Sequence, residues 1–132
     1  MLQLDIVTPE RSVVSEPVDI VTVPGLNGDL GILPGHTQLI SQLRTGVLTY
    51  TQGGATYRLH VSGGFVEISG DRVSVLAEVA ERPEEIDAAR ARIAREHAEK
   101  SLSAFSGTEE DFETARARLE RSIVRLQLAA GE

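Results

Sequence analysis

At 132 residues and 14.2 kDa the chain suits one compact domain, or a small domain with an appendage. Its formal charge of -7 opposes a polyanionic nucleic-acid partner, and two Tyr, three Phe and no Trp leave no basic patch interleaved with aromatics. Without cysteine there are neither disulfides nor thiolate metal sites; no apolar run approaches the ~18 residues that span a bilayer, and Met1 to Asp5 lacks the pattern of a signal peptide, so a soluble, unexported protein is expected.

Glycine and proline divide the chain. Ten of the twelve glycines and four of the five prolines precede Pro83, which sets a boundary near Arg82. Before it, short alternating apolar runs read as strands at Leu2 to Val7, Arg11 to Ser15, Val18 to Val23, Gly46 to Thr51, Ala55 to Val61, Gly64 to Ile68 and Arg72 to Glu78. Leu30, Ile32 and Leu33, then Leu39, Ile40 and Leu43, add further strand-like positions. The sum is about ten strands in two packed sheets, an antiparallel β-sandwich over residues 1–82. Gly53-Gly54 and Gly70-Asp71 fall between paired runs as hairpin turns, and Ser62-Gly-Gly64-Phe65 offers a bulge or a close backbone approach. Between Val23 and Leu43, Gly25, Gly28, Gly31 and Gly35 permit positive φ while Pro24 and Pro34 fix φ, so the chain must turn tightly there.

After the boundary the apolar period changes. Pro83 is placed like a first-turn proline, Glu84 and Glu85 favour the positive end of a helix dipole, and Ile86, Ala89, Ile93 and His97 recur every three or four residues, predicting a helix from Glu84 to about Leu102. Gly107 suits a helix stop. Thr108-Glu-Glu-Asp111 resembles a capping box opening a second helix, with the stripe Phe112, Ala115, Leu119, Ile123 and Leu126. The short link makes residues 83–132 an antiparallel two-helix hairpin and the whole an α+β chain. Each helix has a narrow, alanine-rich apolar face, so neither is stable in water without a partner surface; a conformational switch and a permanently packed hairpin both fit.

Chemistry is hard to find in these residues. His36, His60 and His97 are widely separated in sequence and sit in no ligand or triad spacing; Ser62 forms no nucleophile elbow, and no Gly-Lys-Ser/Thr follows Gly28 to Gly35. An independent hydrolase is not expected, nor a required cofactor or metal. A lone turn aspartate such as Asp29 ordinarily caps its own backbone, and a lone His after Pro-Gly ordinarily satisfies local bonds.

The tract Gly28-Asp-Leu-Gly31-Ile-Leu-Pro34-Gly35-His36 nevertheless resembles the Gly-Asp/Glu-Leu-Gly-Ile-x-Pro-Gly-His core of epsilon subunits of the F-type ATP synthase, and Asp5-Ile-Val-Thr-Pro9 and Ser62-Gly-Gly-Phe65 fit the same family. The resemblance implies a non-catalytic part of the rotating central stalk, peripheral on the cytoplasmic face of the cell membrane. The sandwich would grip the gamma subunit and sit against the c-ring, with His36 in the position facing gamma, Asp29 in the position near the c-ring polar loops, and Gly31 in the same interface.

A second resemblance lies in the hairpin, where Ile86-Asp87-Ala-Ala-Arg90-Ala91 is similar to the Ile/Leu-Asp-x-x-Arg-Ala motif of epsilon subunits that bind ATP without hydrolysing it. Glu81 stands at the family spacing before it, and Arg121 and Arg125 occupy matching places on the second helix. In an antiparallel hairpin Arg90 can converge with Arg121 and Arg125 on one anion; by resemblance the arginines serve the phosphates, and Asp87 and Glu81 orient an arginine or bond adenine or ribose. ATP is thus implied as a regulatory ligand that holds the hairpin compact. Without it the hairpin would extend along gamma toward the alpha and beta subunits and inhibit hydrolysis, where Arg92, Arg95, Arg116 and Arg118 could meet an acidic surface. The plain reading of the same charges is a solvated helical face with pairs Arg116–Glu120 and Glu96–Lys100. Two other classes remain open on sequence: a freestanding sandwich adaptor and a small nucleotide-sensing regulator.

Overall fold

A computed structural model describes residues 1–104 and 107–131, so Ser106 of the interhelical link lies outside the described residues. The chain divides into two compact units, Met1–Arg82 and Pro83–Glu132. Ten strands fill the first: β1 (Leu2–Val7), β2 (Ser12–Val18), β3 (Ile20–Gly25), β4 (Gly28–Ile32), β5 (Leu39–Gln42), β6 (Gly46–Gln52), β7 (Ala55–Ser62), β8 (Phe65–Ser69), β9 (Arg72–Leu76) and β10 (Val79–Glu81). They form two five-stranded sheets, ordered β2-β1-β9-β8-β5 and β10-β7-β6-β3-β4. Every pairing is antiparallel except β1 with β9, which run parallel with Leu4 beside Val73.

The period-2 pattern explains the layers. Leu2, Leu4 and Ile6 of β1, Val66 and Ile68 of β8 and Val73 and Val75 of β9 are buried in the same core as Val21, Val23, Leu48, Tyr50, Leu59 and Val61. Each such aliphatic side chain stabilises by about 1.5–3 kcal/mol when fully buried, and the intervening residues lie on the opposite face of their sheet, where His60 of β7 is buried as well.

The expected strand over Arg72 to Glu78 stops at Leu76. Ala77 N–H still donates to Val7 O at 3.0 Å while Glu78 N–H donates to Ser62 O at 3.2 Å, so within two residues the chain leaves one sheet and begins β10 on the other. Gly53 and Gly54, with φ of 57° and 83°, make the two-residue turn between β6 and β7, and Gly70 at 59° opens the turn between β8 and β9. In the loop core only Gly28 and Gly35 take positive φ; Gly25 and Gly31 are strand residues instead. At Gly25 the constraint is space, because a Cβ would lie 2.7 Å from Gly28 O.

In the second unit Pro83–Glu85 forms a 3-10 turn, followed by α1 (Ala88–Ser103) and α2 (Glu109–Ala129). The first helix therefore begins later than the predicted Glu84. Asp87 is its N-cap, accepting the Arg90 N–H at 3.1 Å, which ends the 3-10 turn before the α-helix starts. Thr108 caps α2 by accepting from Asp111 N–H at 3.1 Å, as its capping-box pattern predicts.

The buried faces are rotated from the predicted stripes. Ala91 and Ala98 of α1 and Ser122 and Leu128 of α2 are the buried positions, whereas Ile93, predicted inside, is 56% exposed and Ile123 is 46% exposed. Small side chains take three of these four buried positions, and the bulkier isoleucines stay outside them. Among the described residues no helix is long and apolar enough to cross a membrane.

Candidate functional site

The residues singled out in the sequence fall into three places. The first is the end of the sandwich that carries β4 and the loop after it. Leu33-Pro34-Gly35-His36 closes a turn in which His36 N–H donates to Leu33 O at 3.2 Å, with proline second and Gly35, at φ 83°, third. This is the arrangement of a type II turn. It leaves the Gly35 N–H pointing outward, and the Asp71 carboxylate accepts it at 3.0 Å from the β8–β9 turn. His36 is half-buried and its Nδ1 lies 2.7 Å from Thr37 O. Asp29 does not cap its own backbone: its Oδ1 forms an ion pair with Arg44 Nη2. Arg44 is in turn fixed by donating its N–H to Pro24 O at 3.0 Å. Gly31 lies opposite Thr22 on β4, exposed, with open space where a Cβ would be. Asp29, Gly31 and His36 therefore share one strand-and-loop segment, presented at the surface and stiffened from two other parts of the chain.

The second place is the end of β10. Glu81 is the cross-strand neighbour of His60 on β7, and its Oε1 lies 2.8 Å from His60 Nδ1. His60 is fully buried on the sheet face opposite Leu59 and Val61, and among the described residues nothing partners its Nε2. Arg82 Nη1 donates to Tyr50 Oη at 3.2 Å, and Tyr50 stacks on its cross-strand partner Tyr57 with ring centroids 5.0 Å apart. Glu81 thus fastens the last strand of the sandwich.

The third place is a cleft of about 330 Å³ between α1 and α2. His97 and Ser101 line it from α1, and Arg118, Arg121 and Arg125 line it from α2, over alanine walls. The structure brings Arg121 and Arg125 together as the sequence suggested, and adds Arg118 and His97. Arg90 is not in the lining; it lies exposed in the first turn of α1, where Asp87 is engaged as the cap. Elsewhere on the hairpin arginines find carboxylates: Arg116 pairs with Glu120 at 3.4 Å and with Glu113 at 3.9 Å, and Arg95 with Glu99 at 3.7 Å. Glu96 and Lys100, the other expected pair, do not meet. Arg44, Asp71 and His60 carried no motif in the sequence, because their partners lie fifteen to thirty-six residues away. Arg118 could have been found from its spacing of three and seven to Arg121 and Arg125.

Comparison with known proteins bears on the whole chain. Residues 1–83 match the family model "ATP synthase, Delta/Epsilon chain, beta-sandwich domain", and residues 84–130 match "ATP synthase, Delta/Epsilon chain, long alpha-helix domain". The chain is 45% identical over 127 residues to the ATP synthase epsilon chain of Desulforamulus reducens, covering 96% of each. It is 41% identical over 128 residues to that of Geobacter metallireducens, covering 97% of this chain and 93% of the relative. Among solved structures, a chain of the Euglena gracilis mitochondrial ATP synthase (OSCP/F1/c-ring) superposes with a TM-score of 0.82 at 26% identity, over 98% of this chain and 81% of that one. A chain of the Tetrahymena thermophila central stalk and c-ring shares the fold, with a TM-score of 0.64 at 15% identity, over 99% and 96%. A sandwich and a helical hairpin that both match, in order and across almost the full length of these relatives, place the chain in the epsilon-chain family of the ATP synthase, as one of its non-catalytic subunits.

Proposed function

We propose that the chain is a central-stalk coupling subunit whose sandwich binds the gamma subunit and the c-ring, and whose hairpin binds ATP and regulates ATP hydrolysis. The setting is the F1 sector on the cytoplasmic face of the cell membrane. The Euglena neighbour comes from an assembly of F1 with a c-ring, which supports the stalk placement. For the sandwich, the surface segment holding Asp29, Gly31 and His36 is the interface, with His36 toward gamma and Asp29 toward the c-ring. For the hairpin, the observation that carries the reading is the cleft where Arg121 and Arg125 face His97 across alanine walls. Arginine recognises phosphate with planar, multidentate donors, and here both are held on a rigid helix. Arg90 and Asp87, by their family positions, are further ATP contacts at the start of α1.

A ligand shifts a conformational equilibrium only by its differential affinity for the two states. A cleft walled by both helices exists only while they lie together, so ATP in it favours the compact hairpin. The extended form reaches alpha and beta and inhibits hydrolysis.

Calorimetric titration of the full chain with ATP tests this, with Arg121→Ala and Arg90→Ala as controls. Saturable heat that is lost in Arg121→Ala supports an ATP-responsive hairpin. No binding up to millimolar ATP, where the standard binding energy is only about 4 kcal/mol, refutes it. A stable one-to-one complex with gamma separates a stalk subunit from a freestanding adaptor or sensor.

A further inference from the structure

Asp29 is held by an arginine that is itself held twice. Arg44 lies in the connection between β5 and β6, and its backbone N–H donates to Pro24 O at 3.0 Å. Pro24 is buried on β3 and is the cross-strand neighbour of Asp29 on β4. The Arg44 side chain passes beside the α-carbon of Gly46, where a Cβ would lie 2.9 Å from Nη1 and 2.8 Å from Pro24 Cβ. Gly46 is buried and has no positive φ, so it is space, and not backbone conformation, that makes a larger residue costly there. From that seat Arg44 Nη2 reaches Asp29 Oδ1.

An exposed ion pair contributes little to stability by itself, and the side chain of Asp29 is 61% exposed. What the pair fixes is direction. β4 is the edge strand of its sheet, and an aspartate there turns about two side-chain torsions. The bond to Arg44 removes that freedom in the free chain and occupies Oδ1, while among the described residues no hydrogen bond reaches Oδ2. At Gly35 the brace from Asp71 takes a backbone amide; at Asp29 it takes the interface side chain itself.

Resting on the reading that Asp29 faces the c-ring, we propose that Arg44 is a positioning residue of that interface. It orders the Asp29 carboxylate so that Oδ2 accepts a hydrogen bond from a donor on a polar loop of the ring, and it acts through Asp29 without a contact of its own. The mechanism is preorganisation: ordering that association would otherwise impose on the side chain is already present before the ring arrives. An aspartate has only two torsions to fix, so its share lies at the low end of the usual side-chain cost, equivalent to about a two- to fivefold change in Kd. An Asp29 without its arginine keeps its charge and loses its direction, so the whole effect of removing Arg44 passes through Asp29.

The test is a double-mutant cycle on the assembled complex. The native chain, Arg44→Ala, Asp29→Ala and the double variant are each incorporated with gamma into F1, and the affinity of that F1 for purified c-rings in nanodiscs is measured. Urea unfolding of each free chain checks that the sandwich is intact. Arg44→Ala should weaken binding by about two- to fivefold, Asp29→Ala by at least as much, and the double variant no more than Asp29→Ala alone. A residue that stiffened the sandwich in general, or met the ring directly, would keep its effect in the Asp29→Ala background; that result overturns the proposal. So does native affinity in Arg44→Ala beside a weakened Asp29→Ala, which leaves Asp29 at the interface. Native affinity in Asp29→Ala sinks the placement of Asp29 and this proposal together.

Discussion

Gly64→Ala is the sharpest test of the sandwich geometry. Gly64 sits at φ 95°, outside the small left-handed region open to residues with a side chain, and a Cβ placed there would be 1.8 Å from the Leu76 carbonyl oxygen and 3.0 Å from Ala77 Cα. The conformational part costs about 1–2 kcal/mol. Relief of the contact must come from backbone, because the obstructing atoms belong to the strand that Phe65 pairs with at Leu76; overpacking of that kind costs about 1–3 kcal/mol. Together they remove about 2–5 kcal/mol from a stability that in small domains is about 5–15 kcal/mol. Gly70→Ala is the control. It has positive φ, at 59°, but nothing within 4 Å of the new methyl, so only the conformational part of about 1 kcal/mol applies. Urea unfolding of the full chain, with a slope of about 1–3 kcal/mol per molar, should show a midpoint for Gly64→Ala lower than that of Gly70→Ala by about 0.3–4 M. Equal midpoints would refute the argument, since they would mean that the Leu76 carbonyl is not where the close approach puts it.

Glu81→Ala should destabilise the sandwich by about 1–3 kcal/mol, because it removes the partner of the buried His60 Nδ1; thermal unfolding should show Glu81→Gln, which keeps an acceptor oxygen, recovering much of the loss. Asp71→Ala should speed hydrogen exchange of the Gly35 amide and leave the Val66 amide unchanged, with Asp71→Asn intermediate, since the bond broken belongs to the His36 loop alone. Thr108→Ala should lower the helix content of α2 at its first turn and cost about 1 kcal/mol by loss of the cap. Asp87→Asn keeps a capping oxygen while removing a charge, so an unchanged melting curve with altered ATP affinity would assign Asp87 to the ligand, and unchanged affinity would leave it a cap.

The sandwich was legible because its signals are local. Alternation at Leu2, Leu4 and Ile6, glycine pairs at Gly53-Gly54 and the tract Gly63-Gly64 each state their own role within a few residues. The crossover after Leu76 was not, since Ala77 and Glu78 look like a continuing strand until their partners, Val7 and Ser62, are known. In the hairpin the apolar period identified helices but misplaced their inner face: hydrophobicity points to Ile93 and Ile123, whereas close packing chose Ala91, Ala98 and Ser122. The loop segment Gly28 to His36 could be read from its motif, yet the groups that brace it, Asp71 on the Gly35 amide and Arg44 on Asp29, are joined to it only by the fold; in the hairpin, Arg90 was expected to converge with Arg121 and Arg125 but does not line their cleft. Arg121 and Arg125 could be read from their spacing, and the same rule, applied one step further, reaches Arg118.

The parallel pairing of β1 with β9 bears on how the protein is made. Leu4 cannot meet Val73 until the intervening sandwich has left the ribosome, which at about 5–20 residues per second takes roughly 3–14 s. The β1–β2 hairpin needs only about 1–10 μs to form and is marginal by itself, so for something like a million times its own formation time the β1 edge that β9 will cover has no partner. A bare edge is a template for another chain. Asp5 on β1 and Glu16 on β2, directly across from Ser15 and Leu4, put charge on these two strands during that interval, and charge on an unpaired strand opposes edge-to-edge pairing until β9 closes the sheet.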